Sequence, residues 1–147
     1  METFQAGLSW ITILNKRENF RLAFDAFDYK KIAQYSEAKQ DQLLQNPGII
    51  RNKLKVKSAV TNAIAFMEIQ EEFGSFSKYI WGFVDGKPIE NKPKTLKDIA
   101  ATSAISDALS KDLKKRGFKF VGSTVIYAHM QATGMVNDHV EDCWVRE

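Results

Sequence analysis

Apolar residues recur along most of this chain at three- and four-residue steps. Leu8, Ile11 and Leu14 form one series, and Phe20, Ala23, Phe24 and Phe27 a second. Leu43 and Leu44 lead to a third, made of Val56, Val60, Ile64 and Met67. That spacing puts the side chains on one face of a helix, and the alternation of a half-buried strand is missing. Breaks are expected at Asp25 to Tyr29, at Asn46-Pro47-Gly48, at Gly74-Ser75, over the polar stretch Asp85 to Lys94, and at Gly117 and Gly134. Asp85-Gly86-Lys87-Pro88 reads as a turn, and Thr95 to Asp98 has the form of a capping box. The pattern predicts a compact all-α domain of about seven helices over residues 1–147, without internal repeat or linker.

Composition narrows the class. At 147 residues, 44% hydrophobic and 27% charged, the chain has the make-up of a soluble globular protein, and no window approaches the roughly 20 apolar residues of a membrane span. One cysteine excludes an internal disulfide, and Met1-Glu2 opens a mixed sequence unlike a secretory signal, so a cytoplasmic location is expected. The net charge of +3 says little, but its placement says more. Lys53, Lys55 and Lys57 form one basic cluster and Lys111, Lys114, Lys115, Arg116 and Lys119 another. Concentrated positive charge suits a polyanion; solvated helix faces are the alternative.

Between two predicted helices lies Leu43-Leu44-Gln45-Asn46-Pro47-Gly48-Ile49-Ile50-Arg51-Asn52-Lys53. Pro47 and Gly48 can turn the chain tightly while Ile49 and Ile50 pin the two helices together. The second helix would then start with its amides outward, beside Arg51, Lys53 and Lys55, an arrangement that suits a phosphate. It resembles the helix-hairpin-helix element of DNA repair glycosylases, which grips the DNA backbone without reading sequence.

His139 and Cys143, in Asn137-Asp138-His139-Val140-Glu141-Asp142-Cys143, are four residues apart, and on a helix would share one face. Both are good zinc ligands, but tetrahedral zinc needs four. The remaining histidine is His129, and there is no second cysteine. Either this is no metal site or its other half lies outside the chain.

Three further runs identify a family. Phe4-Gln5-Ala6-Gly7-Leu8-Ser9-Trp10-Ile11-Thr12 is the first. Ser106-Asp107-Ala108-Leu109-Ser110 leading to Lys114-Lys115-Arg116-Gly117-Phe118-Lys119-Phe120-Val121-Gly122 is the second. Tyr127 with Met130-Gln131-Ala132 through Asn137-Asp138-His139 is the third. With the Gly48-Ile49-Ile50-Arg51 hairpin they resemble the DNA-3-methyladenine glycosylase I family, in order, from Glu2 to Cys143. The resemblance implies hydrolysis of the N-glycosidic bond of 3-methyladenine in double-stranded DNA, with the base flipped out of the helix because it cannot be reached while stacked. It implies that Glu2 is the catalytic and base-binding carboxylate and that Trp10 packs against the base. Leu8 becomes a candidate wedge for the vacated space, and Gly48, Ile49, Ile50, Arg51 and Lys53 the DNA-binding hairpin.

The residue types suit that chemistry. A 3-methylated adenine is cationic before cleavage, so an aromatic face and a carboxylate favour it over neutral bases. It leaves as a neutral base, so less catalytic force is needed. No Asp occurs between Asp41 and Asp85, and Glu68, Glu71 and Glu72 read as the solvent face of a helix, so no dedicated nucleophile is expected. Asn52, not Lys53, takes the position of the lysine used by bifunctional relatives, which predicts a glycosylase without lyase activity. Taken alone, Trp10 reads as a core aromatic, Glu2 as a solvated residue and Leu8 as core.

The family pattern begins upstream of residue 1, with a segment that supplies one Cys, one His and aromatic residues of the base pocket. The expectation is an N-terminally truncated glycosylase-like domain in which His139 and Cys143 are two of four ligands of a structural zinc. The alternative is a non-catalytic helix-hairpin-helix DNA-binding module derived from the glycosylase. No membrane association is expected, and the sequence points to no particular protein partner.

Overall fold

The computed structural model describes residues 1–146. Nine α-helices are seen among them, two more than expected. They are α1 (Glu2–Gln5), α2 (Trp10–Leu14), α3 (Arg17–Ala23), α4 (Tyr29–Ile32), α5 (Glu37–Leu44), α6 (Lys53–Phe73), α7 (Phe76–Trp81), α8 (Ala104–Lys115) and α9 (Ser123–Ala132). The surplus comes from one-turn helices where a single longer one was foreseen. Between α3 and α4, Asp25, Ala26 and Phe27 all take positive φ (50°, 58° and 62°), held where Tyr35 Oη donates to Asp25 Oδ2 at 2.5 Å. Three such non-glycine residues in a row cannot continue a right-handed helix.

The 21-residue α6 is about 31 Å long by helical rise and organises everything else. Asn52 caps its first turn by accepting the Lys55 amide at 3.0 Å, and Gly74 ends it at φ 79°, a left-handed cap for which glycine carries no Cβ penalty. Its first half packs Val56 and Ala63 against Phe4, Ile13, Phe20, Phe24, Leu43 and Ile49. Its second half packs Ala65 and Ile69 against Tyr79, Leu109, Leu113, Ile126, Met130 and Met135. The chain is thus all-α around two apolar clusters that share one helix.

Two short segments depart from the helical expectation. β1 (Ile89–Glu90) and β2 (Val136–Asn137) pair in parallel, Ile89 opposite Val136. Ile89 N–H donates to Met135 O at 2.9 Å, and Asn137 Nδ2 donates to Glu90 Oε2 at 2.9 Å. The capping box at Thr95 is present, but it closes a 3-10 turn, Leu96–Asp98. No helix among the described residues is long and apolar enough to cross a membrane.

Candidate active site

Glu2 opens α1 and Trp10 opens α2, and the turn between them folds both toward one cleft. Gly7 takes φ 75°, a conformation that an L side chain resists, so the chain reverses there. The reversal is closed from both sides: Leu8 N–H donates to Gln5 O at 2.7 Å, and Gln5 Nε2 donates to Leu8 O at 2.7 Å. Ser9 then caps α2 by accepting the Thr12 amide at 3.3 Å. The cleft has a volume of about 570 Å³, and Glu2, Gln5, Trp10, Gln131, Asp138 and His139 are among the residues that line it. Trp10 is 48% exposed, so it is not the core aromatic that its spacing alone suggested. Glu2 is half-buried rather than solvated. Leu8 is partly buried against the first apolar cluster, at the apex of the turn that joins the two.

Burial alone would raise the Glu2 carboxyl. The hydrogen bond from its own backbone amide and the charge of the nearby His129 act the other way and favour the carboxylate. Burial pulls the pKa of His129, on the opposite helix α9, below the ordinary imidazole value against the opposing pull of Glu2, and its Nε2 has no hydrogen-bond partner among the described residues. It faces a second, apolar cavity of about 270 Å³ that shares Glu2 as a wall. The spacing of apolar residues gave no sign of His129 in this place.

The far wall rests on Asp138, whose carboxylate accepts from Asn91 Nδ2 at 2.8 Å, Tyr127 Oη at 2.8 Å and Gln131 Nε2 at 2.7 Å. Those bonds join the residue after β1, helix α9 and the segment after β2. Tyr127, Gln131 and Asp138 lie within one of the family's sequence runs, but their joint role was not visible there. Glu68, Glu71 and Glu72 are all exposed, away from the cleft, and Glu72 is also an ion-pair partner of Arg116.

The hairpin between α5 and α6 follows the sequence closely, with one correction. Ile49 is buried at 3% exposure and pins the turn, while Ile50 is half-buried. Gly48 is needed for space: a Cβ there would lie 3.0 Å from Asn46 Oδ1 and 3.1 Å from Asn19 Cγ. Asn46 Oδ1 accepts the Gly48 amide at 2.8 Å, and Lys16 Nζ reaches the carbonyls of Pro47 and Gly48 at 3.3 and 3.4 Å. Arg51 and Lys53 are exposed beside the start of α6, as expected, and so is Lys57. Lys55 is not part of that surface. It is 5% exposed and its Nζ donates inward to the carbonyls of Phe4 and Ala6, because the third residue of α6 faces the packed side of the helix.

The second basic cluster divides in the same way. Lys111, Lys114, Lys115 and Lys119 are exposed. Arg116 turns back to pair with Asp112 at 2.7 Å and Glu72 at 2.6 Å, over the rings of Phe73 and Tyr79.

His139 and Cys143 do meet, but not on a helix. After β2 the chain has no regular structure from 138 to 140 and turns at 141 and 142. Asn137 Oδ1 accepts the His139 amide, Pro93 O accepts the Glu141 amide and Val140 O accepts the Cys143 amide, so those amides are committed outside a helical ladder. The turn leaves Cys143 Sγ 3.4 Å from His139 Nδ1. Zinc bonds of about 2.3 Å to sulfur and about 2.0 Å to nitrogen, at a tetrahedral angle, would put these atoms about 3.5 Å apart, so the pair fits one edge of a zinc site. No third His, Cys, Asp or Glu joins them in a metal-binding group among the described residues.

Comparison with known proteins gives one consistent result. The family model for methyladenine glycosylase matches residues 1–147. DNA-3-methyladenine glycosylase 1 of Escherichia coli (strain K12) is 47% identical over 143 residues, covering 97% of this chain and 76% of that protein. DNA-3-methyladenine glycosylase of Haemophilus influenzae (strain ATCC 51907 / DSM 11121 / KW20 / Rd) is 48% identical over 143 residues, covering 97% and 77%. A crystal structure of 3-methyladenine DNA glycosylase I (TAG) superposes with a TM-score of 0.95 at 47% identity, covering 99% of this chain and 80% of that one. The Staphylococcus aureus enzyme, solved to show how it recognises 3-methyladenine, superposes with a TM-score of 0.95 at 36% identity, covering 99% and 78%. On sequence, fold and coverage together, the chain belongs to the methyladenine glycosylase family.

Proposed function

We propose that this chain is a DNA-3-methyladenine glycosylase, which flips 3-methyladenine out of alkylated double-stranded DNA and hydrolyses its N-glycosidic bond without lyase activity. The observation that carries this reading is the meeting of Glu2 and the exposed face of Trp10 in one cleft, of a size within the range of roughly 300–1,000 Å³ usual for small-ligand sites. Membership of a family whose named relatives are 3-methyladenine glycosylases supports it.

The chemistry follows from charge. The damaged base is cationic, so the Glu2 carboxylate stabilises it and the Trp10 π-face accepts it, while a neutral adenine gains only the stacking. Cleavage moves the positive charge toward the sugar and releases a neutral base. The Glu2 carboxylate then serves as the electrostatic partner of the sugar cation that water attacks. The carboxylate of Asp138 already accepts three hydrogen bonds, which suits a wall that fixes the cleft rather than a nucleophile. Lys53 is exposed at the hairpin, outside the residues that line the cleft, which favours hydrolysis over Schiff-base chemistry.

The helix-hairpin-helix formed by α5, the Gly48 turn and the start of α6 is read as the phosphate grip, with Gly48, Ile49 and Ile50 forming the turn and Arg51 and Lys53 supplying charge. Leu8, at the apex of the turn between Glu2 and Trp10, is read as the wedge that fills the vacated stack. His139 and Cys143 would hold a structural zinc together with two further ligands. Such an ion would supply cross-linking of chain segments, not bond cleavage.

The test is release of free 3-methyladenine from methylated duplex DNA by the full chain, measured by chromatography. Release by wild type, slowed by about 10- to 150-fold in Glu2→Gln, is the expected result. Salt-sensitive DNA binding with no base released would instead identify a DNA-binding module.

A further inference from the structure

Lys55 is a buried ammonium on a helix whose neighbouring charges face water. It pairs with no carboxylate among the described residues. Burial pulls its pKa below the ordinary lysine value, as expected for a cation removed from solvent. Its Nζ donates to Phe4 O at 2.8 Å and to Ala6 O at 2.5 Å, and lies 5.6 Å from the centroid of the Phe120 ring.

Those partners are not neighbours in sequence. Phe4 and Ala6 stand at the end of α1 and the start of the turn that carries Leu8, where C=O groups lack intrahelical partners and concentrate negative charge. Phe120 belongs to the loop after α8 and takes φ 56°, which a bulky residue adopts only when its surroundings impose it. Asn62 imposes it in part, donating to Lys119 O at 3.0 Å and accepting the Lys119 amide at 2.8 Å. One side chain in the first turn of α6 therefore fastens two distant loops to the helix that ends the hairpin.

A packing role alone would be filled at lower cost by an apolar residue of similar length. We propose that Lys55 is a positioning residue for base extrusion, fixing the Leu8 turn and the Phe120 loop to the hairpin helix so that gripping the DNA backbone places the wedge in the stack. This rests on the glycosylase reading above. The grip at Arg51 and Lys53 and the wedge at Leu8 are on separate segments, and the Lys55 ammonium joins the start of α6 to the carbonyls on either side of Gln5, next to the Leu8 turn.

The full chain is compared with Lys55→Met, Leu8→Ala and the double variant. The readouts are single-turnover release of 3-methyladenine, affinity for undamaged duplex, and fluorescence of a 2-aminopurine beside the damaged base, which reports extrusion. Lys55→Met should slow release and extrusion about 30- to 100-fold, with duplex affinity within about 3-fold of wild type, and in its background Leu8→Ala should add less than about 3-fold. Independent, multiplicative effects of the two substitutions on extrusion would overturn the proposal. So would a duplex affinity that falls in step with the rate. If Lys55→Met does not fold, Lys55→Gln, which keeps an N–H donor group without the charge, passes through the same cycle. Wild type that releases no base overturns the glycosylase reading separately, while the fluorescence cycle still reads the coupling.

Discussion

Tyr127 and Asp138 are joined by a hydrogen bond of 2.8 Å that ties helix α9 to the wall of the cleft. Burial pushes the Asp138 carboxyl up, but donors from Asn91, Gln131 and Tyr127 outweigh it and hold the group below its ordinary value of 3.8. The same contact and the burial around it push the Tyr127 hydroxyl up to about 12. A depressed carboxyl contributes stability that is complete above about pH 4 and is lost as pH falls through its folded value. In Asp138→Asn the amide nitrogen must face an amide donor, that of Asn91 in one orientation and that of Gln131 in the other, a pairing that cannot form. Loss of a charge-accepting hydrogen-bond network predicts destabilisation of about 1.5–3 kcal/mol at neutral pH. Thermal melting from pH 7 to pH 3 checks it: the gap between the two proteins should narrow below pH 4, and a constant gap would remove the charge from the explanation.

Glu2 and Trp10 should fail differently. Glu2→Gln keeps the shape and removes the charge, so excision of cationic 3-methyladenine should fall by about 10- to 150-fold, the range for a charged hydrogen bond. Trp10→Ala removes a stacking surface usable by any base, so it should weaken binding by about 1–3 kcal/mol without selectivity. Competition between alkylated duplex, in which 3-methyladenine is still cationic, and undamaged duplex separates the two. Preference for the methylated base should collapse in Glu2→Gln and survive in Trp10→Ala; the reverse pattern would assign selectivity to the ring.

Much of this was legible in the sequence, for physical reasons that also explain what was not. The breaks at Gly74 and around Asp25 were readable because turn chemistry is local, and so was the pinning role of Ile49. Lys55 and Arg116 were misplaced because a basic run says nothing of which side of a helix each lysine or arginine faces. The Lys55 side chain is decided by carbonyls 49 and 51 residues away, and that of Arg116 by Glu72, 44 residues away. The helical geometry expected for His139 and Cys143 failed because the amides of 139, 141 and 143 are bonded to groups outside a helix. His129 gave no signal, since its significance is only that α9 sets it near Glu2.

Arg116 should prove a stability residue with no part in DNA binding. Its guanidinium pairs with Asp112 and Glu72 and covers Phe73 and Tyr79, joining α6, α7 and α8. Arg116→Met should lower the melting temperature by about 3–6 °C, whereas Lys115→Met on the exposed face should shift it by less than about 1 °C. Duplex affinity should change more for Lys115→Met than for Arg116→Met. Equal losses of affinity would return Arg116 to the basic surface.

Zinc binding by the 147-residue chain should depend on both halves of the pair at the end of the fold. Two ligands 3.4 Å apart match one tetrahedral edge but leave two positions to water, so affinity should fall well short of a four-ligand site. Calorimetric titration should show binding accompanied by proton release, because zinc takes cysteine as the thiolate. Cys143→Ala and His139→Ala should each abolish it. Binding that survives both would place the metal elsewhere.

The hairpin is best tested through salt, because charge–phosphate contacts leave a signature that hydrogen bonds to carbonyls do not. Each phosphate neutralised releases condensed counterions, so the slope of log affinity against log salt changes by about 0.9 per contact. Arg51 and Lys53 stand exposed beside the first turn of α6, whereas Lys55, two residues on, is turned inward. Arg51→Ala and Lys53→Ala should each make the slope shallower by about 1. Lys55→Met should leave it unchanged. A slope lowered by Lys55→Met to the same degree would mean that its ammonium leaves the Phe4 and Ala6 carbonyls for the DNA when the complex forms.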